Sequence, residues 1–222
     1  MSKVVKLRAS DGFELDAYVA EPEGKPRGGL VVVQEIFGVN QHICTVADRF
    51  AREGYFAVAP AIFDRVEKNF DVGYDAEGMQ KGMGILQKLS IEDVVKDVDA
   101  ALQYAAKETG RPAGVVGFCY GGTLAWLSAT RLAPAAAVGY YGGYIAKFAG
   151  ETPKVPAMLH FGKQDDHIPA ADVEKVQAAH PEVEIFWYDA GHGFNCDMRG
   201  SYNESAAREA MARTLAFLGK HV

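Results

Sequence analysis

The sequence has few cysteines, no long apolar run and no excess of positive charge, and each absence excludes a class of protein. Three of the 222 residues are cysteines and none forms a Cys-x-x-Cys pair, so we expect no disulfide framework and a reduced, cytoplasmic setting. No stretch approaches 18 consecutive apolar residues and the first residues lack an apolar signal core, which predicts neither a membrane span nor a secretory leader. The net charge of −6 gives no indication of a nucleic-acid partner, because such domains usually present a basic face.

The composition that is present is that of an ordinary globular domain, with 49% hydrophobic and 23% charged residues. Residues 3–9 and 13–20 alternate apolar and polar side chains, as half-buried antiparallel strands do. Beyond them, apolar runs alternate with helical periodicity, which predicts crossover units, a mostly parallel sheet and helices on both faces. The predicted strands are 30–33, 55–59, 113–118, 135–141, 156–161 and 183–188, and the predicted helices are 43–53, 90–108, 121–131, 170–179 and 204–219. We therefore expect one α/β domain over residues 1–222.

The segment 61–89 fits neither pattern. It contains Gly and Met residues with scattered Asp, Glu and Lys, and it is long for a connection within a compact domain. Connections of this length are often functional, so the segment either covers a pocket or is an ordinary surface excursion. Its sequence alone favours neither alternative.

The stretch from Val115 to Gly122 carries the clearest chemical signal. It reads as a buried strand, then Gly-Phe-Cys-Tyr-Gly, then a helix, which is the pattern of a nucleophile elbow with Cys119 in the place of serine. The elbow is a sharp, strained turn, and Gly117 and Gly121 supply the neighbours without side-chain bulk that it needs. The turn would place the sulfur at a helix N-terminus, where amide groups and the helix dipole favour a thiolate. The alternative is a small buried thiol in a tight turn.

A thiolate nucleophile needs a base, and His192 is the best placed histidine. It lies on a glycine-flanked loop after a predicted strand, and His167 is its only rival on a loop. The base in turn needs a carboxylate that holds its tautomer, and Asp165 and Asp166 both follow a predicted strand. Either carboxylate could instead cap the next helix. The chain order of Cys119, carboxylate and His192 is that of α/β-hydrolases.

The residues after the strand at 30–33 complete the candidate site. Hydrolases of this kind place one oxyanion-hole amide there, so we expect the amides of Ile36 and Tyr120 to converge on a developing oxyanion. Glu35 is an unusual residue at this position, and a buried carboxylate beside a thiol could accept the thiol proton. The alternative for Glu35 is a salt-bridged residue at the mouth of a loop.

With these residues identified, the sequence resembles the dienelactone hydrolase family, the α/β-hydrolases with a cysteine nucleophile, along nearly its whole length. The stretches that carry the resemblance are Gln34–Asn40, Gly117–Gly122, Gly162–Pro169 and Ala190–Phe194. The most specific of them is Gln-Glu-Ile-Phe-Gly-Val-Asn in combination with a cysteine elbow. The resemblance implies an α/β-hydrolase fold for the whole domain.

The resemblance also implies a role for each candidate residue. Cys119 would be the nucleophile, His192 the base and Asp165 its orienting carboxylate. Glu35 would contact the resting thiol and take its proton when substrate binds. A monomer without cofactor is implied too, with a small lactone or ester as its partner. Neither a His-Glu-x-x-His sequence nor clustered Cys and His residues indicate a metal hydrolase.

The resemblance is weaker at the residues that would bind substrate. It implies two arginines that hold the carboxylate of a dienelactone, and Met79 and Cys196 stand at the corresponding positions. Lys81 and Arg199 lie near these positions but are offset, so each would have to turn its charge inward. Aromatic residues near the expected mouth either favour a neutral acyl group or belong to the core: Phe37, Tyr120, Tyr140, Tyr141 and Phe194. We therefore expect neutral lactones or aryl esters to be cleaved at least as well as carboxylate-bearing dienelactone.

The sequence thus predicts a hydrolase of lactones or small esters that works through an acyl-thioester intermediate. A general carboxylesterase or thioesterase would use the same residues and stays open as an alternative. A non-catalytic receptor on a hydrolase fold is a third interpretation, but a receptor has no need of the complete set of Cys119, Asp165, His192 and Glu35.

Overall fold

One eight-stranded sheet organises the chain in the computed structural model, which describes residues 1–222. The strands are β1 Ser2–Arg8, β2 Glu14–Ala20, β3 Gly28–Val33, β4 Tyr55–Pro60, β5 Gly114–Phe118, β6 Ala137–Tyr140, β7 Ala157–Gly162 and β8 Glu184–Tyr188. Their spatial order is β1-β2-β4-β3-β5-β6-β7-β8. β1 pairs with β2 and β2 with β4 in antiparallel fashion, and the other five pairs are parallel. The mostly parallel α/β sheet expected from the sequence is confirmed.

Five helices occupy connections between strands, and a sixth follows the last strand. They are α1 Gln41–Arg52, α2 Ala76–Leu86, α3 Ile91–Thr109, α4 Tyr120–Arg131, α5 Ala170–Ala179 and α6 Glu204–His221, with 3₁₀ turns at Ile62–Arg65 and Ile145–Phe148. The crossover through α1 leads from β3 to its neighbour β4. The crossover through α3 then leads from β4 back past β3 to β5, the neighbour on the other side. Because such crossovers are right-handed, α1 and α3 cover opposite faces of the sheet. None of the six helices combines the length and the apolar character needed to cross a membrane.

Burial and capping explain why these segments form where they do. Every residue of β3 and β5 is buried, which accounts for their continuous apolar runs. At the start of α1 the Asn40 side chain accepts a hydrogen bond from the Ile43 amide, and at the start of α3 the Ser90 hydroxyl accepts one from the Asp93 amide. Helix α3 ends at Gly110, whose φ of 73° lies in the left-handed region that glycine tolerates.

Helix α2 is the main difference from the expectation drawn from the sequence, because it lies in the segment 61–89 that was predicted to be irregular. Gly78, Gly82 and Gly84 make α2 a poor helix former by propensity. Packing explains Gly78 and Gly82, because a Cβ at either position would collide with backbone, whereas Gly84 has open space. A Cβ at Gly82 would lie 2.2 Å from the carbonyl oxygen of Ile36, so a larger residue could not approach the loop after β3 as closely. Helix α2 therefore lies directly over that loop.

Candidate active site

The carboxyl ends of four parallel strands carry the candidate residues. Glu35 follows β3, Cys119 follows β5, Asp165 follows β7 and His192 follows β8. The carboxyl ends of parallel strands meet at one edge of a sheet, which is where ligands bind in open α/β sheets. The topology therefore brings together residues that are far apart in the chain.

Cys119 occupies a strained turn between β5 and α4. Its φ is 55°, a conformation that residues with a side chain rarely adopt, and its amide donates to the carbonyl oxygen of Tyr140 at 3.0 Å. A Cβ at Gly117 would lie 1.9 Å from the carbonyl oxygen of Gly121, and one at Gly121 would lie 2.3 Å from that of Val33. The turn therefore requires both glycines that flank the cysteine.

The structure places Asp165, and not Asp166, against the histidine ring. His192 Nδ1 lies 2.8 Å from Asp165 Oδ2. The other oxygen, Oδ1, accepts hydrogen bonds from the amides of His167 and Ile168 at 2.8 and 3.2 Å. One carboxylate thus shapes its own loop and orients the ring, whereas Asp166 is exposed.

The His192 ring carries a strongly perturbed pKa. Burial lowers the pKa of the ring, but hydrogen bonds and negative charge from Asp165 and Cys119 outweigh burial and raise it to about 10. With Asp165 on Nδ1, the other ring nitrogen is left for the sulfur. The ring also packs against those of Tyr141 and His167, each with a centroid separation of 5.1 Å. The arrangement favours a protonated His192 ring between the Asp165 carboxylate and the Cys119 sulfur.

Two backbone amides beside Cys119 have no partner. Tyr120 is the first residue of α4, and Ile36 lies in the loop after β3. Both residues border the cavity described below, and neither amide donates a hydrogen bond within the protein. Unpaired amides at a helix N-terminus attract negative charge. They are suited to binding an oxyanion.

A cavity of about 410 Å³ opens over Cys119, a volume that suits a small-molecule ligand. Its walls are mostly apolar and comprise Ile36, Phe37, Met79, Met83, Leu86, Cys119, Tyr120, Gly143, Tyr144, His167, His192 and Arg199. Of the two alternatives for the segment 61–89, the structure supports the one in which it covers a pocket, because α2 supplies one wall. A wider groove of about 900 Å³ beside α6 contains neither Cys119 nor His192.

Five of the lining residues were not predicted as such from the sequence: His167, which was considered only as a rival of His192, and Met83, Leu86, Gly143 and Tyr144. The sequence did contain a pattern that could have identified Met83 and Leu86. Met79, Met83 and Leu86 follow an i, i+4, i+7 spacing, which puts them on one face of a helix. No comparable pattern marks Gly143 and Tyr144.

Arg199 turns into the cavity, whereas Lys81 does not. The Arg199 guanidinium lies 5.6 Å from the ring centroid of Phe37 and 5.7 Å from that of Tyr74. Lys81 is exposed and pairs with Glu77 at 2.7 Å, so its place among the predicted pocket residues is corrected. Residues two apart on a helix point in different directions, and Met79 already faces the cavity.

Three other predicted pocket residues lie behind the cavity wall. Tyr141, Phe194 and Cys196 are each fully buried, and none of them borders the cavity. The rings of Tyr141 and Phe194 pack edge to face at 5.3 Å. These residues belong to the core that supports the site, which corrects the expectation that they contact substrate.

Glu35 is wholly buried and faces Arg199 instead of the nucleophile. Its Oε1 lies 3.5 Å from Arg199 Nη1, while Oε2 has no hydrogen-bond partner. No hydrogen bond joins Glu35 to Cys119, so the expected contact with the thiol is absent from this arrangement. Of the alternative, a salt-bridged residue at the mouth of a loop, the ion pair is present, but the side chain is buried and does not lie at an open mouth. Glu35, His42 and Cys196 form a group of potential metal ligands.

The arrangement of these elements defines the class of protein. A strained nucleophile turn leads from a central parallel strand into a helix, and a carboxylate and a histidine follow later strands of the same sheet. This is the architecture of the α/β-hydrolase fold. Comparison with known proteins narrows the class to a family.

The family model of the dienelactone hydrolases matches residues 15–222. Carboxymethylenebutenolidase from Pseudomonas putida is 32% identical over 227 residues, which cover 98% of this chain and 96% of the relative. A Synechocystis protein provisionally named carboxymethylenebutenolidase is 36% identical over 220 residues, with 90% and 89% coverage. A solved structure from Klebsiella pneumoniae, provisionally named a dienelactone hydrolase, has a TM-score of 0.84 at 30% identity and covers 97% of this chain and 98% of its own. The chain belongs to the dienelactone hydrolase family.

Proposed function

We propose that the chain hydrolyses lactones or small carboxylic esters through an acyl-thioester on Cys119. The observation that carries this proposal is that Cys119 and His192 border the same cavity, beside two unpaired amides. The hydrogen bond of 2.8 Å between His192 and Asp165 supports His192 as the acid and base. Membership of the dienelactone hydrolase family supports the substrate class.

In the first half of the reaction, the Cys119 thiolate attacks the carbonyl carbon and a C–S bond forms. The carbonyl oxygen becomes an oxyanion, which the amides of Ile36 and Tyr120 stabilise. The C–O bond to the leaving group then breaks, and His192 gives its proton to the departing oxygen. In a lactone the leaving oxygen stays attached to the acyl chain, so this step opens the ring.

In the second half, water releases the acyl group. Acylation removes the charge from the sulfur, and with it one of the influences that raise the pKa of His192. The ring, now without its proton, accepts one from water as the oxygen attacks the thioester carbon. The C–S bond breaks, the carboxylic acid leaves and the Cys119 thiolate is restored beside the imidazolium.

Arg199 and Glu35 act together in binding the substrate. Arg199 is the only lysine or arginine that borders the cavity, so it is the group that would bind a substrate carboxylate. Glu35 holds the guanidinium in place from behind. In this arrangement the thiol proton resides on His192. Glu35 would become free to accept it only if a substrate draws Arg199 away.

We further propose that the chain acts as a monomer in the cytoplasm, without a cofactor and on a small-molecule substrate alone. The resemblance to the dienelactone hydrolase family is what supports a monomer. All three cysteines are unpaired, which supports a reducing compartment.

The test is a turnover screen over lactones, aryl esters and thioesters, with the unaltered protein and Cys119→Ala. The unaltered protein should turn over lactones or aryl esters, and mass spectrometry of a slow ester reaction should find the acyl group on Cys119. Cys119→Ala should lose the activity and the adduct. Full activity in Cys119→Ala would contradict the proposal.

A further inference from the structure

Behind the wall of the cavity, three side chains that can bind metal converge without bordering the substrate space. Glu35 comes from the loop after β3, His42 from α1 and Cys196 from the loop after β8. All three are completely buried. One ligand atom from each lies within 4.8 Å of the other two. The proposed hydrolysis uses neither His42 nor Cys196.

Two atoms of this group have no hydrogen-bond partner in the protein. They are Oε2 of Glu35 and Nε2 of His42, and both side chains are fully buried. A buried polar atom without a partner costs free energy, and native proteins contain few of them. Two such atoms in one buried group leave lone pairs that a ligand could use.

Two members of the group are also held by an outer partner. His42 Nδ1 lies 3.3 Å from Asp197 Oδ1, and Glu35 Oε1 lies 3.5 Å from Arg199 Nη1. Metal-binding residues typically have such partners, which fix the direction of the ligand atom. A carboxylate can only accept a hydrogen bond, so His42 carries its hydrogen on Nδ1. The lone pair of Nε2, which has no partner in the protein, is then free to bind a ligand.

We propose that Glu35, His42 and Cys196 bind a divalent cation of the zinc class, with water as the fourth ligand. Carboxylate, imidazole and thiolate are the ligands that Zn²⁺ takes in proteins, commonly three from protein and one from water. Bonds of about 2.0–2.3 Å in a tetrahedral site separate the ligand atoms by roughly 3.3–3.7 Å, so the group closes by about 1 Å on binding. Cys196 loses its thiol proton to solvent as the metal–sulfur bond forms.

Occupation of this site would inhibit hydrolysis, a consequence that rests on the proposed function. The metal takes the carboxylate that faces Arg199 at 3.5 Å, and the guanidinium is repelled by the new positive charge. Arg199 then loses the position from which it would bind substrate. The cation is thus a regulator and not a part of the hydrolytic chemistry.

The site itself is tested without any measurement of activity. Co²⁺ is added to the full, metal-free chain, and thiolate-to-cobalt charge transfer and tetrahedral d–d absorption are followed to saturation. One equivalent should bind, and the bands should persist in Cys119→Ser and Cys44→Ser but disappear in Cys196→Ser. His42→Gln gives an independent readout if Cys196→Ser fails to fold, and it should also abolish the bands. Asp197→Asn should weaken binding about 10- to 100-fold.

Two results would overturn the site. Absence of the thiolate band in the unaltered protein would mean that the space holds only hydrogen-bonded water. A band that disappears in Cys119→Ser but persists in Cys196→Ser would place the metal on the nucleophile instead. If the band behaves as expected but no ester is cleaved, the proposed function fails and the metal site stands.

The inhibitory consequence is tested with Zn²⁺ alone. Zn²⁺ should inhibit ester hydrolysis with one-site stoichiometry, and a chelator should restore the rate. Cys196→Ser should lose this inhibition relative to its own metal-free rate, whereas Cys44→Ser should keep it. Unchanged hydrolysis with the site fully occupied would contradict the inhibitory role.

Discussion

The two carboxylate oxygens of Asp165 bind different groups: Oδ2 lies 2.8 Å from His192 Nδ1, and Oδ1 accepts hydrogen bonds from two amides of its own turn. A carboxylate bound on both oxygens cannot rotate without breaking the turn. The orientation of the histidine ring is therefore set by the local conformation of the loop after β7. The choice between Asp165 and Asp166, which the sequence left open, depends on this geometry.

Asp165→Asn should lower kcat by about 10³- to 10⁴-fold, the size of effect seen when the equivalent carboxylate of a serine protease becomes an amide. Asparagine keeps an oxygen for the turn amides, but its NH₂ group cannot accept the hydrogen on His192 Nδ1. The measurement is kcat on an aryl ester, with thermal unfolding to verify the fold. The exposed neighbour provides the control, since Asp166→Asn should retain activity. Equal rates for the two variants would show that the ring does not depend on Asp165.

His192 should titrate with a pKa near 10, and Cys119→Ala should lower that pKa. The variant removes the hydrogen bond and the charge of the sulfur, two of the causes that raise the pKa of the ring against the effect of burial. The measurement is the NMR titration of the histidine ring protons. His160 is the internal reference, because burial lowers its pKa to about 3 and it should not titrate between pH 5 and 10. An unchanged midpoint in Cys119→Ala would contradict the pairing.

The same shift has a consequence for stability. A pKa raised above the unfolded value of about 6.5 means that the protonated ring favours the folded state. This contribution is fully present below about pH 6.5 and is lost as the pH rises through about 10. The difference in free energy of unfolding between the unaltered protein and His192→Gln should therefore shrink over that range.

Cys119 should be alkylated well before the other two cysteines. Burial raises the pKa of both Cys44 and Cys196 to about 11, so only about 0.1% of either is thiolate at pH 8, and the thiolate is the reactive form. Cys119 borders the cavity and is within reach of a small alkylating agent. Peptide mapping after limited iodoacetamide treatment gives the order of modification. Modification of Cys44 or Cys196 at the same rate would contradict the assignment.

Gly82→Ala should reduce kcat while Gly84→Ala should not. A Cβ at Gly82 would lie 2.2 Å from the carbonyl oxygen of Ile36, whereas a Cβ at Gly84 has open space. Helix α2 must then move away from the loop after β3, which carries the Ile36 amide. Loss of one oxyanion donor typically costs about 10²- to 10³-fold in kcat. The two alanines raise helix propensity equally, so similar rates in both variants would show that the approach of α2 does not matter.

Much of the fold could be predicted from the sequence because the central strands are buried on both faces and therefore read as apolar runs. The positions of Cys119, Asp165 and His192 at strand ends followed from the same pattern. Helix α2 could not be predicted from propensity, because its three glycines disfavour a helix locally, and only the fold shows that one of them, Gly82, is needed for close packing against Ile36.

The orientations of long side chains could not be predicted from the sequence. Lys81 and Arg199 were both offset by a few residues from the positions that the family resemblance suggested. Lys81 points outward because Met79 occupies the inward face of the helix, two residues earlier. Arg199 points inward because the loop after β8 folds back, close enough that a Cβ at Gly193 would lie 2.6 Å from its Nη1. Such a return of the chain depends on tertiary packing and leaves no periodic pattern.

The position of Arg199 changes the expectation for substrate charge. The sequence favoured neutral substrates because no aligned position supplied a cation, but the structure places one guanidinium in the cavity. Removal of one partner of a desolvated, hydrogen-bonded charge pair costs about 2–5 kcal/mol, or roughly 30-fold and more. Arg199 already faces Glu35 at 3.5 Å, so the part available to a substrate carboxylate is smaller.

Arg199→Gln should therefore lower kcat/KM for a carboxylate-bearing lactone about tenfold more than for its neutral counterpart. The measurement uses a matched pair of substrates that differ only in the carboxylate, because any general damage to the site then cancels in the ratio. Lys81→Gln is the matched control: it also removes one positive charge, but from the exposed face of α2, so the ratio should stay unchanged. A ratio that falls equally in both variants would mean that long-range charge attracts the substrate. A ratio that moves in neither would show that the cavity selects neutral acyl groups after all.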